Sequence, residues 1–292
     1  MCTQLFDPKI DYVFKNIFGS EKHPRILISF LNACIKPKDP IVEVRLKNTE
    51  ITKEYVENSF SRLDILAKTS IGELINIEMQ RADERNMVKR SLYYWSKTYI
   101  SEYTGKGAYA NLPRTICINV LDFILLDEEK FHNKYLIQNA SNNNLLTDTL
   151  ELHFIEIPKM KDIDETDLLS IWVGFLEDPN NEKVISLERR VEELQEAKEE
   201  LARISRDPKE AENYRMRENA RNDRLNALLS AEKEGIQQGI QQGIQQGIQE
   251  GLTEGERKAK LEIAKSSLKN GLSIEIISQI TGLSLEEIKN LR

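Results

Sequence analysis

Residues 61–80, which read SRLDILAKTSIGELINIEMQ, contain two short apolar runs joined at residues 70–72. Both runs are rich in Ile and Leu, which is typical of two β-strands joined in a hairpin. If the turn is centred near Ile71, Asp64 and Glu78 lie directly across from one another. Side chains alternate between the faces of a strand, so Gln80 shares a face with Glu78. The hairpin therefore brings two carboxylates and one amide to one place.

Two carboxylates that face each other on a sheet suit a divalent cation. Directly opposed like charges destabilise a sheet by up to about 1 kcal/mol, unless a cation or a proton lies between them. Acidic oxygens are the ligands that Mg²⁺ prefers, and metal-assisted hydrolysis of a phosphodiester also needs a group that positions water. The spacing alone leaves a second interpretation open, in which both acids are solvated on an exposed sheet face.

The segments around the hairpin predict an α/β (α+β) domain that spans residues 1–160. Apolar residues at helical spacing predict helices over 11–18 and 23–33, and IVEVRL predicts a strand that precedes the hairpin. A long helix is expected from Gln80 to about Tyr103, followed by strands in RTICINVLDFILL and LELHFIEI. Pro158 is expected to close the domain.

The charge distribution leaves a nucleic-acid function open. The 292-residue chain has a net charge of −7, but residues 1–160 are neutral and the whole deficit belongs to residues 161–292. The sequence has no apolar run long enough for a membrane span, and its start lacks the pattern of a signal peptide. Its three widely spaced cysteines match no disulfide framework. We therefore expect a cytoplasmic protein without membrane contact.

Other catalytic arrangements find little support in the sequence. His23, His132 and His153 lack the spacing of metal ligands, and the chain contains no Gly-rich phosphate loop and no G-x-S-x-G motif. A pairing between a cysteine and a histidine cannot be seen from the sequence.

Four stretches together resemble the Rpn family of recombination-promoting, transposase-like nucleases within the PD-(D/E)XK superfamily: FDPKIDYVFKNIFG, SRLDILAKT, INIEMQRADERNMVKRSLYYWSKTY and GKGAYANLPRTICINVLDF. The resemblance covers residues 5 to about 160 in order. It implies a restriction-endonuclease-like core with an all-helical C-terminal tail. It also implies a Mg²⁺-dependent DNA endonuclease, with Mn²⁺ as a substitute, that serves recombination or transposition-related DNA breakage. The rival interpretation is an inactive nuclease fold that acts as a binding or interaction module through its tail.

The resemblance also implies roles for individual residues of this chain. Asp64 and Glu78 match the acidic residues expected to bind the metal, and Asp11 matches an acidic position that can complete the site. The alternative for Asp11 is a favourable interaction with the helix dipole. Gln80 stands where many superfamily members have a lysine, although the Rpn-like branch usually reads E-x-Q, as here.

With glutamine at this position, the motif lacks the positive charge that a lysine would supply. Gln80 can orient a water molecule, but it carries no positive charge to stabilise the developing phosphorane. Lys15, one turn beyond Asp11 on the first helix, is a candidate to supply that charge. Lys68 is a second candidate, and its alternative is a solvated lysine at the end of the hairpin.

Basic residues follow the hairpin at helical spacing. Arg81, Arg85 and Lys89 occur at successive i+4 steps on the predicted helix, with Arg90 beside them. Such a row, starting at the metal site, predicts contacts with the phosphates of DNA. The alternative is that these residues pair with neighbouring acids on a solvated helix.

The tail divides into three predicted parts. Residues 161–234 form a partly amphipathic helical connector, in which Pro208 stops one helix and Asn213 starts the next. In residues 235–256 glycine recurs at every fourth position, in repeats of GIQQ and its variants. Each glycine costs a helix about 1 kcal/mol relative to alanine, so we expect this helix to be ordered by association into a homo-oligomer, most simply a dimer. A flexible spacer is the alternative.

Residues 257–292 resemble a helix-turn-helix. Gly271 is expected to end a helix, Ser273 to cap the next, and Ser284 with Glu287 to form a capping box. The segment is only slightly basic, so DNA contact and a small helical packing module both remain open.

Overall fold

The computed structural model describes residues 5–47, 64–103 and 109–291. The chain divides into two compact units, Met1–Asn219 and Ala220–Arg292. A six-stranded sheet forms the centre of the first unit. Its strands are β1 (Val44–Leu46), β2 (Ile65–Thr69), β3 (Leu74–Gln80), β4 (Thr115–Leu121), β5 (His132–Gln138) and β6 (Leu145–Glu156).

The sheet is mixed, with strand order β1-β2-β3-β4-β6-β5. The three central strands β3, β4 and β6 run parallel, whereas β1, β2 and β5 pair antiparallel with their neighbours. Nine α-helices occur in the described ranges. They are α1 (Asp11–Phe18), α2 (Pro24–Ile35), α3 (Met87–Ile100), α4 (Leu168–Glu177), α5 (Glu182–Glu188), α6 (Glu192–Arg206), α7 (Pro208–Lys269), α8 (Ile274–Thr281) and α9 (Leu285–Lys289).

The predicted hairpin is present in β2 and β3. Ile65 pairs with Ile77 and Lys68 with Leu74, so the register is symmetric about Ile71 as the sequence predicts. Gly72 occupies the turn with φ of +92°, a conformation that glycine adopts without strain. Residues 61–63 of the predicted first strand lie outside the described residues.

The two faces of β3 point to different environments. Ile75, Ile77 and Met79 lie in the main core, together with buried residues of α1, α2, α4, α5 and α6. Asn76 and Glu78 alternate with them and therefore lie on the opposite face, which α3 covers. The second face thus carries buried polar groups that the apolar core would not tolerate without partners.

The main core continues beyond Pro158, where the sequence predicts the end of the domain. Trp172 of α4 is fully buried and packs against Phe18 and Phe30, with ring centroids 5.5 and 6.5 Å away. Truncating a buried tryptophan typically costs about 3–5 kcal/mol, so α4 is an integral part of this core. The predicted boundary at residue 160 falls inside the first compact unit, which ends at Asn219.

Two further elements differ from the prediction. The helix after Gln80 begins at Met87 rather than directly after the strand. Arg85 has φ of +58°, which a right-handed helix cannot include, and its backbone N–H donates to the Asp83 carboxylate. The edge strand β5 was not predicted, because HNKYLIQ lacks a clear apolar alternation.

The connector and the glycine repeat belong to one continuous helix. As predicted, one helix ends just before Pro208, but the next helix, α7, starts at Pro208 itself rather than at Asn213, because proline fits the first turn, where its missing N–H costs nothing. The glycines from Gly235 to Gly255 lie within this helix, and apart from the adjacent residues and backbone of the helix itself, no atom of the described residues lies within 4 Å of where a Cβ would stand.

The second unit ends in the predicted helix-turn-helix. Ala264 of α7, Ile277 of α8 and Ile288 of α9 form its small apolar core together with Leu283. The predicted caps are confirmed. The Ser273 side chain caps α8, Ser284 and Glu287 form a capping box, and Gly271 and Gly282 adopt positive φ. None of the helices in the described ranges combines the length and the apolar character that a bilayer crossing requires.

Candidate active site

The two predicted acidic residues lie together at the open end of the β2–β3 hairpin. The Asp64 backbone N–H donates to Oε1 of Glu78 at 3.3 Å, and the Met79 backbone N–H donates to Oδ2 of Asp64 at 2.8 Å. Each carboxylate is therefore held by the backbone of the opposite strand. The facing arrangement predicted from the turn centre is present.

Burial makes this pair of carboxylates costly in their charged form. Glu78 is 1% exposed, and among the described residues its Oε2 accepts no hydrogen bond. Burial, followed by the negative charge of Asp64, raises the pKa of Glu78 to about 8. Burial also raises the pKa of Asp64. The pair consequently attracts a proton or a cation.

Lys15 reaches this site from α1. Its Nζ lies 3.1 Å from Oδ1 of Asp64, and its positive charge partly offsets the effect of burial on the Asp64 pKa. Lys68, the other lysine considered from the sequence, forms an ion pair with Glu102 at the far end of β2. The fold thus brings Lys15, and not Lys68, to the acidic pair.

Asp11 lies near the pair but bonds elsewhere. Its charge acts to raise the pKa of Asp64, which places it within electrostatic range. Its Oδ1 accepts the Tyr12 backbone N–H at 2.7 Å, and its Oδ2 accepts from Arg217 at 2.6 Å. Asp11 therefore accepts hydrogen bonds at the start of α1 and lies beside the acidic pair without a direct hydrogen bond to it.

Arg90 organises the other side of the site. Its Nη1 donates to Oε1 of Gln80 at 3.3 Å, and its Nη2 lies 3.8 Å from Oε2 of Glu78. The guanidinium also lies 5.3 Å from the ring centroid of Tyr94. The contacts of Arg90 with Gln80 and Glu78 were not predicted from the sequence, because the residue at which α3 starts determines which basic side chain faces β3. The 3.8 Å separation leaves the second Glu78 oxygen without a hydrogen bond.

The predicted basic row is not a helical row. Arg81 and Arg85 lie in the loop before α3, and only Lys89 and Arg90 belong to the helix. Arg81 pairs with Asp7 at 2.9 Å and with Asp122 at 3.6 Å, which ties the loop to neighbouring segments. The side chains of Arg85 and Lys89 are exposed.

The donor set fits a hard divalent cation. Asp64 and Glu78 contribute carboxylate oxygens, the ligand type that Mg²⁺ prefers, and the second Glu78 oxygen is buried without a hydrogen bond from any described residue. A buried polar atom in that state is costly, and a cation bound between the two acids would relieve both the desolvation and the like-charge repulsion.

Comparisons with known protein families agree with this geometry. Residues 8–231 match the model of the PD-(D/E)XK nuclease family transposase, and residues 257–292 match the C-terminal HTH domain of the Rpn/YhgA-like nuclease family. Neither the curated proteins nor the solved structures gave a match. The mixed sheet with flanking helices is consistent with a PD-(D/E)XK core followed by a helical tail. Because the first match covers more than half of the chain, the protein belongs to the PD-(D/E)XK nuclease family transposases and carries an Rpn/YhgA-like C-terminal helix-turn-helix.

Proposed function

We propose that this protein is a Mg²⁺-dependent DNA endonuclease that hydrolyses phosphodiester bonds. The observation that carries the proposal is the facing pair Asp64 and Glu78, each held by the backbone of the opposite strand, with one buried Glu78 oxygen that accepts no hydrogen bond from the described residues. Membership of a nuclease family supports the reaction class. DNA breakage in recombination or transposition is the cellular role that this family suggests.

Asp64 and Glu78 are the proposed metal ligands, with Asp11 as a further carboxylate beside them. A bound Mg²⁺, or Mn²⁺ in its place, would neutralise charge that develops on the phosphate oxygens. The backbone N–H groups of Asp64 and Met79 keep the two carboxylates oriented before any cation arrives. Such preorganisation avoids paying for reorganisation during the reaction.

Gln80 and Lys15 are proposed to act on the attacking water and the phosphate. Arg90 holds the Gln80 carbonyl oxygen, so that the Gln80 amide can orient a water molecule. Lys15 supplies the positive charge that glutamine lacks at the motif position. Its 3.1 Å contact with Asp64 supports this role, because it places the ammonium group beside the metal ligands.

The proposed contacts with DNA begin at the exposed basic residues beside the site. Lys89 and Arg85 are exposed and close in sequence to Gln80, so they are candidates for phosphate contacts. Arg81 and Arg90 already pair with acids of the first unit, and we assign them a positioning role. The helix-turn-helix match supports DNA as the partner of the second unit.

We further propose that the glycine repeat is a homo-oligomer contact. Ile236, Ile240, Ile244, Ile248 and Leu252 are each 57–59% exposed along α7, and the intervening glycines permit close approach of a second helix. The repeat of equivalent residues suits self-association, most simply as a dimer. A dimer would set two metal sites against the two strands of a duplex.

The nuclease proposal is tested by incubating supercoiled plasmid with the full chain and Mg²⁺. We expect nicked and linear products with the wild type and their loss with Asp64→Ala. Equal cutting by both proteins would overturn the site assignment. A well-folded wild type that leaves plasmid and single-stranded substrates intact would favour the inactive, interaction-only interpretation.

A further inference from the structure

A second cluster of metal-binding side chains lies on the sheet face opposite Glu78. It combines Cys34 from the last turn of α2, His132 from the start of β5, and His153 from β6. His153 stands beside Ile118 of β4, a main-core residue, whereas Glu78 stands beside Asn119 on the other face. The cluster is therefore separate from the proposed nuclease site.

The distances within this cluster resemble the edges of a tetrahedral metal site. Cys34 Sγ lies 3.9 Å from His132 Nε2 and 3.7 Å from His153 Nδ1, and the two nitrogens are 2.8 Å apart. Usual zinc–sulfur and zinc–nitrogen bond lengths give edges of about 3.6 Å for S···N and about 3.3 Å for N···N. The imidazoles would have to separate by about half an ångström, which a small ring rotation supplies.

An outer shell of charged residues orients His153. Its Nε2 lies 2.6 Å from Oε1 of Glu151, so this nitrogen carries the proton and Nδ1 presents its lone pair towards Cys34 and His132. Glu151 is itself paired with Arg114 and Lys134. A carboxylate behind a histidine is the usual support of a histidine that binds zinc.

The surroundings suit a closed site with one accessible side. Cys34 is 2% exposed and His153 is fully buried, whereas His132 is only partly buried at the edge of the sheet. Three protein ligands leave a fourth position for water on the His132 side. Thiolate and imidazole favour zinc-like transition metals over Mg²⁺, which favours oxygen ligands.

We propose that Cys34, His132 and His153 bind one Zn²⁺-class cation. On binding, the Cys34 thiol gives its proton to solvent, and the proton that His132 Nε2 shares with His153 Nδ1 in the metal-free chain is exchanged through solvent to His132 Nδ1, which frees both facing nitrogens for the cation. The cation would join α2 to β5 and β6, which are far apart in the sequence. It would thus stabilise the sheet edge independently of the nuclease site.

The test uses Co²⁺ as a spectroscopic substitute for zinc on the full-length, metal-stripped chain. We expect a saturable sulfur-to-cobalt absorption band with one equivalent of cobalt, reversed by one equivalent of zinc. The band should be lost in Cys34→Ser and in His132→Gln. It should persist in Cys117→Ser, which removes another buried cysteine, and in Glu78→Gln at the nuclease site.

A thermal melt distinguishes loss of the ligand from loss of the fold. Wild type and Cys117→Ser should melt at higher temperature with zinc, whereas His132→Gln should fold but show no zinc-dependent rise. Absence of a cobalt band from the folded wild type would overturn the proposal and leave a hydrogen-bonded His132–His153 pair. A band that survives in Cys34→Ser would overturn it as well, because the thiolate would then come from elsewhere.

Discussion

Asp64 and Glu78 are held in one position by reciprocal bonds, because the carboxylate of each accepts a backbone N–H from the opposite strand. This arrangement keeps two acids together in a place where burial and mutual repulsion both oppose their ionisation. In the folded chain without metal, ionisation of both carboxylates is therefore unfavourable.

The contribution of Glu78 to the stability of the metal-free chain should fall as pH rises from about 4.5 to about 8. The pKa of Glu78 is raised from its ordinary value of 4.5 to about 8, so in this window the folded state keeps a proton that the unfolded state has lost. The stabilisation is complete below pH 4.5 and is lost as pH rises through the folded pKa. The Glu78 contribution can reach about 1.4 kcal/mol per pH unit.

Glu78→Gln isolates this contribution. Glutamine keeps an oxygen for the Asp64 N–H but does not ionise, and titrating groups remote from this pair contribute equally to both proteins. Urea unfolding in a chelator should show the variant gaining stability relative to the wild type as pH rises, with Glu102→Gln, at a partly buried ion pair away from the site, as the control. Parallel curves for wild type and Glu78→Gln would contradict the raised pKa.

Lys15 should matter to the reaction far more than Lys68 does. Lys15→Met removes the charge beside Asp64, and we expect DNA cleavage to slow by about a hundredfold or more, as for other preorganised charges. Lys68→Met disrupts an ion pair with Glu102 at the other end of β2 and should leave cleavage nearly unchanged. Single-turnover cleavage rates of the two variants test this difference. Equal losses of rate in Lys15→Met and Lys68→Met would contradict the proposed role of Lys15.

Lys89 and Arg81 should respond to mutation in different ways. Lys89→Ala should weaken binding of every DNA sequence alike and reduce the salt slope by about 1, because the side chain is exposed and free to meet a phosphate. Arg81→Ala should instead lower the free energy of unfolding by about 1–3 kcal/mol, since Asp7 loses its ion pair with Arg81 and Asp122 keeps only its pair with Lys9. DNA binding at several salt concentrations measures the effect of Lys89→Ala, and chemical unfolding measures that of Arg81→Ala. A loss of stability in Lys89→Ala and a loss of DNA binding in Arg81→Ala would contradict the assigned roles.

Larger side chains at the glycine positions of the repeat should prevent self-association of the chain. Changing Gly239, Gly243 and Gly247 to leucine leaves α7 intact, because open space surrounds each glycine and leucine favours a helix. We expect light scattering to show monomers for this variant and oligomers for the wild type. Leucines at Gln237, Gln241 and Gln245, on the opposite side of the helix, provide the control. A monomeric wild type would identify the repeat as a spacer.

The hairpin was predictable because its register follows from its sequence symmetry. Once the turn is centred near Ile71, the period of two places Asp64 opposite Glu78. The loop before α3 was not predictable in the same way, because the positive φ of Arg85 interrupts a run that otherwise has helical spacing. That loop decides that Arg90, and not Arg81, reaches Glu78 and Gln80.

Contacts between distant segments account for the remaining differences. Pro158 resembles a domain end locally, but the buried Trp172 packs against Phe18 and Phe30 from the start of the chain. Cys34 and His132 likewise come together only through the sheet and α2, so no local spacing indicates them. Tertiary packing, which a single sequence does not display, determines both features.

A calorimetric titration of the full chain with Mg²⁺ tests the Asp64–Glu78 metal site most directly, because Mg²⁺ has little affinity for the thiolate and imidazole ligands of the other cluster. We predict saturable binding that strengthens as pH rises towards 8, because the cation needs ionised carboxylates. Binding should be lost in Asp64→Asn and Glu78→Gln and retained in Lys68→Met. Equal Mg²⁺ binding by wild type and Glu78→Gln, or no saturable binding by the wild type, would contradict the assignment of Asp64 and Glu78 as the metal site.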